Sequence, residues 1–107
     1  MSAFDEREKA YEKKFAQDEE LRFRATARRN RLLGLWAAEK LGLSGDAAEE
    51  YAKSVVRSDF EEPGDQDVFR KIRGDFDAAG VQQSDHQIER TMSELMQTAF
   101  EQLTSGQ

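Results

Sequence analysis

Apolar residues recur along this chain at helical spacing, and a strict alternation of apolar and polar positions is never sustained. The stretch from about residue 3 to Leu41 reads as one helix with two unlike halves. Up to Glu20 its large apolar residues are Phe4, Tyr11 and Phe15, spaced by seven and four among eleven charged side chains. That spacing places three aromatics on one narrow stripe. From Leu21 onward, Leu21, Ala25, Leu32, Leu35 and Trp36 predict one apolar face. Phe23, Ala27, Gly34, Ala38 and Leu41 predict a second. A helix apolar on two faces belongs at the centre of a bundle, and the small residues of the second face let a neighbour approach closely.

Three further helices follow. Gly42 predicts a left-handed stop, and Ser44 a side-chain cap for the next helix, which carries Ala48, Tyr51, Ala52, Val55 and Val56. Pro63 and Gly64 break the pattern. A third helix bears Val68, Phe69, Ile72, Phe76 and Ala79 and ends at Gly80. Ser84 with Gln87 reads as a capping box. Behind it, Ile88, Met92, Leu95, Met96, Ala99 and Leu103 form the last stripe. The expected fold class is all-α: a four-helix bundle over residues 20–104, with an arm over 1–19 and a frayed tail over 105–107.

Composition sharpens this picture. Leu, Ile, Val and Phe number 21 of 107 residues, near the disorder range, but only Phe4 and Phe15 fall in the first twenty positions. The rest of the chain is therefore rich enough for one small core, and the arm is polar. The absence of cysteine excludes disulfides, thiol nucleophiles and zinc-thiolate sites, and fits a reducing compartment. No apolar run approaches the roughly twenty residues needed to cross a bilayer, and MSAFDEREKAYEKK lacks the features of a signal peptide. The expectation is a soluble, cytoplasmic protein. A net charge of -6 disfavours nucleic-acid binding, which needs a positive face.

Candidate chemistry is sparse. Arg22, Arg24, Arg28, Arg29 and Arg31 form the densest block of one sign, yet helical rotation scatters them around the axis. Salt bridging and the covering of core edges explain them, with an anion site on two or three as the rival. The acidic cluster around Pro63 fails the calcium-loop pattern and suits helix capping. His86, the lone histidine, lies in a first helical turn with no nucleophile beside it, so a solvated side chain is expected. The glycines form no phosphate-cradling loop. Trp36 is expected in the core, with Met92 and Met96 as filler. No enzyme signature and no metal site emerge. The arm either extends the first helix and packs on the bundle or docks into a partner's groove through its aromatics.

The runs FDEREKAYEKKFA, ARRNRLLGLWAAEKLGL and DFEEPGD closely resemble the zeta subunit of the alphaproteobacterial ATP synthase, and the similarity covers nearly the whole chain. That family comprises small inhibitors of ATP hydrolysis by the rotary enzyme. The resemblance implies a four-helix bundle whose N-terminal stretch, about Ser2 to Phe15 here, is inhibitory. It implies partners in the catalytic alpha and beta subunits and the rotor gamma subunit, with the protein peripheral at the inner membrane through the synthase. It also implies a weak ATP or ADP site on the bundle, with no required cofactor. Physical reasoning adds Phe4, Tyr11 and Phe15 as partner-binding anchors, with Arg7, Glu8 and Lys14, and also Lys9 and Lys13, setting register. Arg22, Arg28 and Arg29 are the candidate phosphate partners. A monomer is expected when free, and a nucleotide-sensing bundle is the alternative reading.

Overall fold

The structure is a computed structural model that describes residues 19–59 and 65–105. The anchors Phe4, Tyr11 and Phe15, the charges Arg7, Glu8 and Lys14, and the Pro63-Gly64 break lie outside the described residues. So do residues 106–107. The described chain forms α1 (Glu19–Lys40), α2 (Gly45–Ser58), α3 (Gln66–Ala79) and α4 (Asp85–Thr104). α1 packs chiefly on α2 and α4, and α3 closes the far side against the same two helices. The result is the all-α four-helix bundle that the periodicity predicts.

The helix ends are set by local hydrogen bonding. At the end of α1, Gly42 takes φ +80°, where an L side chain is strained. Its N–H donates to the Glu39 carbonyl at 3.1 Å and the Leu43 N–H to the Ala38 carbonyl at 2.8 Å, the paired bonds of a Schellman stop. The same pair closes α3, from Gly80 to Asp77 and from Val81 to Phe76. α4 opens on the expected capping box, with the Gln87 N–H donating to Ser84 Oγ at 3.1 Å and the Ser84 N–H to Gln87 Oε1 at 2.9 Å. Ser44 departs from expectation. It holds the N-cap position, but its side chain makes no cap hydrogen bond, and the chain enters α2 through Gly45 at φ +57°.

The core is assembled from all four helices: Leu33 and Ala37 of α1, Val55 of α2, Val68, Ile72 and Phe76 of α3, and Ile88 and Met92 of α4. Each large aliphatic side chain buried this way contributes about 1.5–3 kcal/mol. Trp36 is a correction: it is half-buried at the core edge, meeting the fully buried Phe76 edge-on at 5.7 Å between centroids. Ala79, expected inside, is exposed as the last residue of α3, immediately before the chain turns at Gly80. At the α3–α4 connection, Arg73 donates to the Gln83 carbonyl at 2.6 Å, to Asp85 at 3.0 Å and to Asp77 at 2.7 Å. Hydrogen bonds to Asp77, then Asp85, push the Arg73 guanidinium pKa further up.

α1 differs most from its sequence pattern. Its buried row is Ala25, Arg29, Leu33 and Ala37, flanked by Asn30, Gly34 and Ala38. This seam runs between the two predicted faces, because α2 and α4 grip the helix from two sides. Leu32, Leu35 and Trp36 are only half-buried, and Phe23 is 63% exposed. The small residues do permit close approach, as expected. A Cβ placed on Gly34 would lie 2.6 Å from the Ala52 Cα, a backbone atom that cannot rotate away. Gly34→Ala should therefore force α1 and α2 apart and lower stability by about 1–3 kcal/mol, read from chemical or thermal unfolding. A variant as stable as the parent would show that the two backbones are not in contact.

Candidate functional site

The buried row of α1 contains a cation. Arg29 is 2% exposed, held inward by its i−4 and i+4 neighbours Ala25 and Leu33. A buried guanidinium is tolerated only when its donors are satisfied. Its Nε donates to Asn30 Oδ1 at 2.7 Å, and Nη2 to Asp65 Oδ1 at 2.7 Å. Asp65 is the N-cap of α3, so the pair ties the middle of α1 to the start of α3. Close by in sequence, Asp67 is buried, accepts from Arg70 at 2.9 Å through Oδ1, and leaves Oδ2 without a partner among the described residues.

Above this tether lies an open groove of about 570 Å³. Phe69, Met92 and Met96 are its apolar lining, and Arg29, Asp65 and Glu89 its charged lining. Of the three candidate phosphate partners, only Arg29 reaches it. Arg22 is exposed one turn inside the α1 start, and Arg28 is half-buried, donating to Gln102 of α4 at 3.4 Å. Arg31 pairs with Glu49 through both carboxylate oxygens at 3.0 Å. Arg24 pairs with Glu20 at 3.0 Å on the open surface. The arginines are thus dispersed, and Arg24, Arg28, Arg29 and Arg31 each have a different partner, as rotation about the axis predicts. His86 is exposed, and among the described residues no group of three His, Cys, Asp or Glu could hold a metal ion.

Sequence reasoning missed the Arg29–Asp65 tether. The available signal was the i±4 framing of Arg29 by Ala25 and Leu33, which marks an inward position whatever residue occupies it. A second polar junction joins α2 and α3. The Tyr51 hydroxyl donates to Asp75 Oδ2 at 2.7 Å, and Lys71 reaches the same oxygen at 3.1 Å. The Lys71 ammonium also lies 5.2 Å from the Tyr51 ring centroid. Burial, followed by the hydrogen bond and charge of Asp75, pushes the Tyr51 pKa far above its ordinary value.

These features define a class: a helical scaffold whose buried polar groups hold helices to one another and whose central helix continues the N-terminal chain. The model of the family described as ATPase inhibitor subunit zeta matches residues 1–102, and the chain belongs to that family. A protein solved in solution by NMR is 45% identical, with a TM-score of 0.72. That match covers 81% of this chain and 99% of the other. A comparison with curated protein sequences finds no match. Family membership makes this an ATPase-inhibitor subunit, a regulatory class associated with the ATP synthase. Among the described residues, no helix is long and apolar enough to cross a membrane.

Asp65→Ala should lower stability by about 1–3 kcal/mol, because it strands the Arg29 charge inside. The half-exposed Asp65 keeps the figure below that of a fully buried pair. Adding Arg29→Met should recover part of the loss in the same unfolding assay, and no recovery would exclude the stranded charge as its cause. Tyr51 generates a pH prediction. Unfolded tyrosine releases its proton near pH 10 while folded Tyr51 keeps it, so the unfolded state then binds fewer protons and stability falls as pH rises. Unfolding curves for the parent and Tyr51→Phe should differ by a constant amount below about pH 10 and converge above it. A constant difference up to pH 11 would refute the assignment.

Proposed function

We propose that this protein inhibits ATP hydrolysis by the rotary ATP synthase, inserting its N-terminal arm between the rotor gamma subunit and the catalytic alpha and beta subunits. The observation that carries the reading is the family match, which begins at residue 1 and so takes in the arm as well as the bundle. The geometry of the body agrees with it. In sequence the arm leads into α1, the helix gripped by both α2 and α4 and tied to α3 through Arg29. A segment that must enter a cleft benefits from a stiff mount, since less freedom is lost on binding.

In this reading Phe4, Tyr11 and Phe15 are the desolvated anchors, and Arg7, Glu8 and Lys14 fix register and salt dependence. From Ser2 to Phe15 a helix would span roughly 20 Å, enough to line one subunit cleft. The protein works as a monomeric, non-catalytic regulator in the cytoplasm, held at the inner membrane only through the synthase. A second reading, weak ATP or ADP binding, is favoured by the groove beside Arg29. A phosphate there must compete with Asp65 for the guanidinium, which keeps such binding weak.

Phe4→Ala combined with Phe15→Ala in the full chain should raise the concentration needed for half-inhibition of the purified cognate catalytic head at least about tenfold. The melting temperature should stay at the parent value. Equal potency of the double variant would remove the aromatics from the inhibitory contact.

A further inference from the structure

Phe23 is the exposed large hydrophobic residue among the described residues, with 63% of its surface open. Its place on α1 makes that exposure informative. Phe23, Ala27, Asn30 and Gly34 follow one another at helical spacing, and at Asn30 and Gly34 this row is buried. Gly34 meets Ala52, so in the antiparallel pairing the last α2 residue, Ser58, lies level with about residue 28 of α1. Phe23 is five residues further on, about 7 Å beyond the end of α2. The packing face of α1 thus continues past the helix that covers it and carries its largest apolar side chain there. Arg22 and Arg24 flank it, both exposed, on a chain whose net charge is -6.

We infer that Phe23, edged by Arg22 and Arg24, is a docking surface for the catalytic head of the ATPase, seated in an apolar pocket bordered by carboxylates. The inference rests on the inhibitor reading above and extends its interface from the arm onto the body. Continuity argues for this occupant. Phe23 lies eight residues after Phe15 in sequence, at most about 28 Å of chain, so a partner that holds the arm is within reach of it. Charge argues for it too, because the Arg24–Glu20 pair is largely exposed and exchanges readily for a carboxylate on the partner.

The test uses the full chain and the purified cognate head. Phe23→Ser should raise the half-inhibition concentration about tenfold, and Phe23→Tyr should restore most of the loss. Neither should move the melting temperature, since the side chain packs on little among the described residues. Arg22→Glu with Arg24→Glu should weaken inhibition at low salt, and high salt should shrink the difference. Unchanged potency of Phe23→Ser would overturn the inference. So would a lowered melting temperature, which would place Phe23 against its own chain. Self-association of the parent that Phe23→Ser abolishes, seen by sedimentation, would assign the surface to a second copy and overturn it as well. Absence of inhibition by the parent would strike the inhibitor reading itself, whereas failure confined to Phe23→Ser strikes only this surface.

Discussion

The approach of α1 to α2 at Gly34 and Ala52 governs the rest of the bundle. Two helices whose backbones touch can slide or separate only by breaking that contact, so the pairing has one register. The register brings the end of α2 level with the second turn after Phe23 and so fixes how much of α1 the bundle covers. It also fixes where Arg29 emerges relative to α3, and with it the reach to Asp65 at 2.7 Å. A larger residue at position 34 would widen one seam and misalign another. The shortest side chain in the protein is therefore the constraint on which the longer ones depend.

The sequence made the four helices legible because each has its own stop signals and three carry a single apolar stripe. Val68, Ile72 and Phe76 are buried as their spacing predicts, as are Ile88, Met92 and Ala99. α1 was less legible for a definite reason. It packs on two neighbours through small residues, so its buried seam contains Ala25, Gly34, Ala37 and Ala38, which carry little hydrophobic signal. The large apolar residues Leu32, Leu35 and Trp36 lie at the edges of that seam and pull the apparent face toward themselves. Hydrophobicity reports how apolar a side chain is, whereas close packing depends on how short it is. Phe23 failed for another reason: it lies on a packing row, but the covering helix ends before it, and the length of a neighbour is not written in a local pattern. Of the candidate site, the dispersal of the arginines was readable from rotation alone. The partnership of Arg29 with Asp65 was not, because it joins residues 36 apart.

The polar interior has a mechanical consequence. Close apolar packing sets the register where backbones touch, and a buried charge bonded at two atoms adds a directional restraint, because it accepts only a narrow range of positions. Arg29 bonds within α1 to Asn30 and across to Asp65, so rotating α1 would expose or strand the guanidinium. Tyr51, Lys71 and Asp75 impose a similar restraint between α2 and α3. Arg73 does so for the connection to α4. These junctions span every step around the far side of the bundle, while the Gly34 contact locks the near side. Together they make α1 a directed rod.

In the proposed function, directedness matters because α1 follows the inhibitory arm in sequence. An inhibitor acting on a machine whose interfaces open and close must recognise one conformation among several, and it can favour that conformation only by the difference in its affinity for each. A short polar segment with three aromatics has limited apolar area from which to build such a difference. If the mount were loose, part of that small difference would be lost in ordering the junction. A rod held on two sides and locked by buried polar bonds removes that cost before binding begins. In the docking proposed above, the exposed aromatic one turn inside the rod, beyond its covering helix, adds contact area where the geometry is already fixed. On this argument the bundle is more than a counterweight for the arm: its packing register decides which part of α1 stays covered and which part is left for the partner.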